Sequence, residues 1–428
     1  MREIVDLEQT FAEFEVHAAP TFRPPGMAAA RRQVRNRRRR HGLLAGVVAL
    51  LLAGPAGAYA MAGRNDQSTP PTPGPETIRQ FALPQGIGRA IDLQFLNAWH
   101  GWALYDGCAP GTDTPRSGDC RRTLARTTDG GETWQTRPLT ATEGGPGMVY
   151  LLPVDARTVT VVDRNRFLTT TDGGLTFTTH PIGSPPLVAQ QSIATSGGFL
   201  LRCPDGNMVG SVTYHLRAGV TDANGGEPCQ QQVLARLSTG PTPTQPPTPL
   251  HFSDAKQLIE GADGRLWLSI SNGDGLTVLL SNDAAATWRQ LPTPSGAAQL
   301  LLSPDGHDVW LFGDGPGQHN GSAMKRMWQL VGDRWQERIG LPADTTSTAV
   351  INGGVLVAIS ADGNLTYWTA GHRMHHTAGP VSPSTFVNGD EHPTIQVLPD
   401  DTILIATRTV TTLGTGTAHT RTWTRLTH

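Results

Sequence analysis

Lysine is almost missing from this 428-residue chain: Lys256 and Lys325 are its only two, so arginine carries nearly all the positive charge. That scarcity reads as a genomic bias, not as chemistry. Charge of either sign is sparse, at 16% of residues, and the formal net charge is −2. Residues 1–40 hold nine arginines against five acidic residues, a balance of +4, which leaves −6 for the rest. A large domain without an electropositive excess argues against a nucleic-acid partner. Cysteine is scarce as well, with Cys108, Cys120, Cys203 and Cys229 as the full set. Their spacing contains no paired CxxC knuckle, so no zinc ribbon is expected. Two local disulfides, Cys108–Cys120 and Cys203–Cys229, are the simplest pairing in an oxidising compartment. Four unpaired thiols are the alternative.

One stretch lacks charge altogether. From His41 to Gly63 there is no Asp, Glu, Lys or Arg. Its length matches the roughly 20 apolar residues a membrane-crossing helix needs. Seven arginines lie in residues 31–40, directly before it. Such charges stay in the cytoplasm, which places the N-terminus inside and the residues from Arg64 onward outside. A cleaved signal peptide is the rival reading, with Ala58-Tyr59-Ala60 as an A-x-A site. Both readings export the larger part. The expected layout is therefore a cytoplasmic tail at 1–40, a transmembrane helix at 41–63, a Pro-rich linker at 64–79 and an extracytoplasmic domain at 80–428.

Within the tail, Ile4, Leu7, Phe11 and Phe14 recur at helical spacing and form one apolar stripe. Acidic Asp6, Glu8, Glu13 and Glu15 surround it. A helix this short is marginal alone, so the stripe implies a cytosolic protein partner; a disordered tail is the plain alternative.

Glycine (49) and proline (33) are abundant, as in chains of short strands and tight turns. Beyond residue 80 a pattern repeats. Thr127-Thr128-Asp129-Gly130-Gly131-Glu132-Thr133-Trp134 is matched by Thr170-Thr171-Asp172-Gly173-Gly174-Leu175-Thr176-Phe177. A third copy, Ser281-Asn282-Asp283-Ala284-Ala285-Ala286-Thr287-Trp288, has Ala285 where glycine is expected. Hydroxyl and carboxylate can satisfy the N–H groups of a hairpin turn, and glycine permits the positive φ it needs. Ala285 is expected to strain its copy. Short apolar runs also recur at Trp99–Leu104, Thr158–Val162, Phe199–Cys203, Leu266–Ile270, Val309–Phe312, Val355–Ile359 and Ile403–Ala406. Four of their six intervals fall between 41 and 48 residues, the length of one four-stranded propeller blade.

These three segments resemble the Asp-box, or BNR repeat, of sialidases and related β-propellers. The resemblance implies an all-β propeller; the spacing favours seven blades, with six and eight left open. Residues 106–120 and the Pro-rich 240–249 are expected as insertions. In that family the Asp-boxes lie away from the active site, so they imply no catalysis. The family's chemistry needs three arginines, a tyrosine nucleophile assisted by Glu, and an Asp acid/base. Phe22-Arg23-Pro24-Pro25 superficially resembles one of its arginine elements, but precedes the span. The exported tyrosines Tyr105, Tyr150, Tyr214 and Tyr367 have no matching neighbourhood. The cluster at Gly371–His376, with His372, His375 and His376, lacks a carboxylate and reads as a polar loop; no metal or cofactor is expected.

The layout is similar to membrane proteins of high-GC Gram-positive bacteria, some of which regulate sigma factors from the membrane. The tail lacks the zinc-binding His/Cys signature of many such regulators. The expected function is a binding or sensing module for an extracytoplasmic ligand, a glycan being one class. A sialidase-like glycoside hydrolase and an assembly scaffold are the alternatives.

Overall fold

The computed structural model describes residues 78–107, 122–139, 149–163, 166–181, 184–204, 231–237, 241–251, 254–272, 275–314, 325–341, 344–368, 374–377, 380, 393–407, 410–417 and 420–427. All belong to the compact unit Pro73–His428. The predicted tail and span, 1–63, lie outside the described residues.

The chain begins with β1 (Ile78–Ala82) and then builds one antiparallel sheet after another. Sheet 1 is β2 (Arg89–Phe95), β3 (Gly101–Asp106), β4 (Arg122–Thr127) and β5 (Gln135–Pro138). Sheet 2 is β6 (Val149–Pro153), β7 (Val159–Asp163), β8 (Arg166–Thr170) and β9 (Thr178–Pro181). Helix α1 (Leu187–Ile193) precedes the two strands of sheet 3, β10 (Phe199–Arg202) and β11 (Val233–Arg236). Sheet 4 holds β12 (Ala255–Glu260), β13 (Leu266–Asn272), β14 (Gly275–Ser281) and β15 (Arg289–Leu291). Sheet 5 holds β16 (Ala297–Leu302), β17 (Val309–Asp314), β18 (Lys325–Val331) and β19 (Arg334–Leu341). Sheet 6 holds β20 (Thr345–Ile351), β21 (Val355–Ser360), β22 (Leu365–Trp368) and β23 (Met374–Thr377). Sheet 7 holds β24 (Thr394–Val397), β25 (Ile403–Ala406), β26 (Val410–Thr417) and β27 (Thr420–Thr427), and β1 joins its outer edge parallel to β27.

Six of the seven apolar runs of the sequence are second strands, and the seventh, Phe199–Cys203, is β10, the first strand of the two-stranded sheet 3. A second strand is covered on both faces, so it reads as a nearly continuous apolar run. β7 is buried at every position, whereas the outermost β5 and β9 are mostly exposed. Each pair of neighbouring sheets shares a hydrophobic cluster. Trp102, Leu124, Leu151 and Val161 join sheets 1 and 2, and Trp267, Val278, Leu300 and Leu311 join sheets 4 and 5. The last cluster joins the last sheet to the first: Leu404, Leu413 and Leu426 pack with Leu93, Phe95 and Tyr105. The series of sheets is closed.

Sheet 3 departs from the pattern. Ala189 and Ile193, four apart on α1, face the cluster that holds Leu152, Phe167 and Leu200. Its outer side is covered by the Pro-rich segment, which sequence reasoning took for an insertion. Prolines lack an N–H and cannot continue a ladder. The Gln245 side chain substitutes: its Oε1 accepts from the Leu234 N–H at 2.8 Å, and its Nε2 donates to the Leu234 carbonyl at 2.9 Å.

Candidate binding face

Antiparallel strand order gives every four-stranded sheet two ends. First-to-second and third-to-fourth connections leave from one end; the second-to-third and sheet-to-sheet connections leave from the other. The three Asp-box segments are third-to-fourth connections, in sheets 1, 2 and 4.

Their geometry follows the sequence. Thr127 Oγ1 donates to Asp129 Oδ1 at 2.7 Å and accepts from the Gly131 N–H at 2.9 Å. Asp129 Oδ1 accepts from the Thr133 N–H at 2.9 Å, and its Oδ2 from the Thr133 hydroxyl at 2.5 Å. Thr170, Asp172, Gly174 and Thr176 repeat these bonds, as do Ser281, Asp283, Ala285 and Thr287. Trp134, Phe177 and Trp288 close the turns half-buried. The Trp134 indole donates to the Gly131 carbonyl, and that of Trp288 to Thr244 in the Pro-rich segment.

Ala284 and Ala285 take φ of +56° and +66°, in the region that Gly130-Gly131 and Gly173-Gly174 occupy without cost. A left-handed conformation costs an L-residue about 1 kcal/mol. Ala284 is exposed, while Ala285 is fully buried. Ala284→Gly is therefore expected to raise stability by about 0.5–1 kcal/mol in denaturant titration. Ala285→Gly should gain less, because it also loses a packed methyl group.

The Thr176 hydroxyl and N–H hold the Asp172 carboxyl well below its ordinary value, and Thr287 holds Asp283 down to about 2. At Asp129 burial works upward, but the Thr133 and Thr127 bonds prevail and the value falls. A carboxylate with a depressed folded-state pKa stabilises above its unfolded value of about 3.9. That contribution disappears as pH falls through the folded-state value. Melting temperature is thus expected to drop as pH goes from about 4 toward 2, less steeply in Asp172→Asn.

The first-to-second turns lie at the same end and are stitched to one another. The Ala98 N–H donates to Asp400 Oδ2 at 2.8 Å, linking sheets 1 and 7. The Trp102 indole donates to the Asp155 carbonyl at 3.1 Å (sheets 1 and 2), and the Gly197 N–H to the Glu260 carboxylate (sheets 3 and 4). Arg265 Nη2 donates to the Gly306 carbonyl at 2.9 Å (sheets 4 and 5). The Asp305 N–H donates to Asn352 Oδ1 at 2.9 Å (sheets 5 and 6), and the Asn352 N–H to Asp401 Oδ1 at 2.8 Å (sheets 6 and 7). The polar groups of this end are largely occupied with each other.

The opposite end differs. Most long connections leave from it: 107–121, 203–232 and 315–324 within sheets, and 139–148 and 378–393 between them; 237–254 instead leaves β11 at the Asp-box end, where the Leu237 N–H donates to the Gly198 carbonyl and the Thr244 N–H to the Ala285 carbonyl, at 2.8 Å each. The other connections at the Asp-box end are no longer than the Asp-box turns themselves, as at 128–134. Exposed Arg89 begins β2 here, and half-buried Arg202 ends β10. Between sheets 1 and 2 the buried Asp163 carboxylate bonds Arg122 Nη1 through Oδ1 and meets Arg166 Nε at 3.5 Å through Oδ2. Burial pushes the Tyr150 hydroxyl up to about 12 and that of Tyr105 higher still. Neither is prepared as a nucleophile at neutral pH. Asp92 is occupied by the Leu151 N–H at 2.7 Å and the Gln94 amide at 2.9 Å.

Several expectations fall elsewhere. Cys203 is buried and is no free thiol. Its possible partners Cys108, Cys120 and Cys229 lie outside the described residues, as do Ile4, Leu7, Phe11 and Phe14. His375 and His376 are not in a loop: Met374–Thr377 is a strand paired with β22. Among the described residues no helix is long and apolar enough to cross a membrane, and no group of His, Cys, Asp or Glu is placed to hold a metal. Sequence reasoning missed the ion cluster of Arg122, Asp163 and Arg166 and the stitched turns. Both join residues distant in sequence, and no local pattern marks them.

No protein-family model and no curated protein matches the chain. Among solved structures, YCF48 bound to a D1 peptide aligns at 13% identity over 79% of this chain and 81% of that one, with a TM-score of 0.29. An ancestral GH74 enzyme aligns at 12% identity over 79% of this chain and 46% of its own, with a TM-score of 0.45. The Dos1 propeller aligns at 10% identity over 74% and 75%, with a TM-score of 0.37. The neighbours are β-propeller proteins, and the all-β closed series of sheets is of that kind.

Proposed function

We propose that this chain is a membrane-anchored, extracytoplasmic β-propeller of seven blades that binds its ligand at the end opposite the Asp-boxes. The observation that carries this is the uneven distribution of connections. Loops are where recognition residues concentrate, and here five of the six long ones leave from a single end. The Asp-box end, by contrast, spends its polar groups on its own turns. In this reading residues 41–63 anchor the chain with residues 1–40 inside, and Cys108–Cys120 and Cys203–Cys229 are disulfides within two long connections. The tail stripe of Ile4, Leu7, Phe11 and Phe14 would meet a cytosolic regulator of sigma-factor type.

Binding is favoured over hydrolysis. Asp163 engages both Arg122 and Arg166, and the hydroxyls of Tyr105 and Tyr150 are held protonated. A specific test presents the full chain in detergent with immobilised cell-envelope polysaccharides and, in parallel, with fluorogenic sialosides. Retention weakened several-fold by Arg89→Ala or Arg202→Ala, unchanged by Glu132→Gln at the Asp-box end, supports the proposal. Sialoside turnover, or equal loss from both ends, contradicts it.

A further inference from the structure

Exposed large apolar side chains are few here, and their placement is uneven. Among the described residues they are Ile78 (36% exposed), Trp99 (60%), Leu175 (66%), Leu187 (56%) and Val331 (41%). Trp99 lies in the first-to-second turn of sheet 1, and Leu175 in the Asp-box of sheet 2. Val331 ends the third strand of sheet 5. Ile78 opens β1, which runs parallel to the fourth strand β27 and pairs with Trp423, level with Ile403 at the start of β25 and so at the Asp-box end of sheet 7. All four therefore lie at the Asp-box end; only Leu187, the first residue of α1, lies at the other.

We propose that the Asp-box end rests against the lipid surface of the membrane that anchors the chain, with Trp99 and Leu175 seated in the bilayer interface. The proposal rests on the anchored reading above. It adds a face and an orientation to it.

Three observations select lipid as the occupant. First, the chain enters the propeller at this end, through Ile78. The stretch 64–77 spans at most about 3.5 Å per residue, so it keeps this end within about 50 Å of the membrane. Second, the four side chains come from sheets 1, 2, 5 and 7 and do not gather in one groove. Points spread over one end of a closed series of sheets fit a plane better than a peptide or a single protein knob. Third, tryptophan prefers the membrane–water interface, where its ring meets hydrocarbon and its N–H meets headgroups. Trp99 is the one exposed tryptophan of ten; the other nine are buried or half-buried.

The Trp99 turn is also held ready. Asn97 Oδ1 accepts from the Trp99 and His100 N–H groups at 2.9 Å each. The Trp99 carbonyl accepts from the Gly130 N–H at 2.9 Å, and the neighbouring Ala98 N–H is tied to Asp400. A side chain presented by a fixed backbone loses little conformational freedom on seating. Exposed acidic Glu132, Asp155 and Asp333 and basic Arg157, Arg289 and Arg334 share this end, Asp333 paired with Arg289, so no excess of positive charge draws it to anionic headgroups and seating should be as good on zwitterionic lipid.

The test is oxidative footprinting, read by mass spectrometry, of the full chain in phosphatidylcholine vesicles and in an amphipathic polymer that covers the span without offering a bilayer plane. Oxidation of Trp99 and Leu175 is expected to fall several-fold in vesicles, while Leu187 reacts equally in both. The doubly substituted chain Trp99→Ser, Leu175→Ser should still float with vesicles but lose the protection of Val331. Equal oxidation of Trp99 in both media, by a chain that does float, overturns the proposal and leaves the anchor standing. Protection in both media indicates a second copy on this face and also overturns it. A chain that does not float removes the anchored reading, and this proposal with it.

Discussion

Asp163→Ala is expected to cost about 3–5 kcal/mol of stability, the usual result of leaving a buried charge without its partner. Asp163 and Arg122 have side chains only 5% and 7% exposed, and they join the second strand of sheet 2 to the third strand of sheet 1. Removing the carboxylate takes from the buried Arg122 guanidinium the opposite charge that offsets its desolvation. Arg166, at 28% exposure, can turn to solvent and suffers less. The pair itself is a weak source of stability, because desolvating both groups offsets most of their attraction. The double variant Arg122→Met, Asp163→Leu should therefore recover most of the loss. Denaturant titration of the single and double variants separates the two effects. A single variant within about 0.5 kcal/mol of wild type, the ordinary scale of surface changes, would mean that the cluster is solvated.

Trp310→Ala should cost a similar amount, about 3–5 kcal/mol, through lost burial and the cavity left behind. Trp310 is fully buried between sheets 5 and 6 and meets Trp368 edge-on, with ring centroids 4.9 Å apart. Yet its indole N–H makes no hydrogen bond among the described residues. A buried donor without a partner costs about 1–3 kcal/mol. Trp310→Phe keeps most of the ring and removes that donor, so its loss should be much smaller than that of alanine. If Phe proved as damaging as Ala, the indole N–H would have to be satisfied, and the packing account of this interface would fail.

How much of this was legible in the sequence depends on distance along the chain. The Asp-boxes were, because donor, acceptor and turn lie within eight consecutive residues; even the strain at Ala285 followed from one missing glycine. The second strands were, because burial on both faces writes a continuous apolar run such as Val159–Val162. The first strands were not: β12 mixes Lys256 and Gln257 with apolar neighbours, since one side of it is only partly covered. The Pro-rich segment misled, because its pairing is made by one side chain, Gln245, and no strand period marks it. The Asp163 cluster and the linked turns join residues 41 to 302 positions apart, beyond any local pattern. The placement of Trp99 and Ile78 at one end required the parallel pairing of β1 with β27, which composition does not encode.

The account proposed above is an exported propeller with its Asp-box end toward the membrane and most of its long connections facing away. The most direct check of its central claim is a topology measurement on intact cells producing the full chain with distinct tags before Met1 and after His428. After removal of any cell wall, external protease should destroy the C-terminal tag and leave the N-terminal tag intact. Protection of the C-terminal tag until the membrane is opened would place the propeller inside and contradict the account.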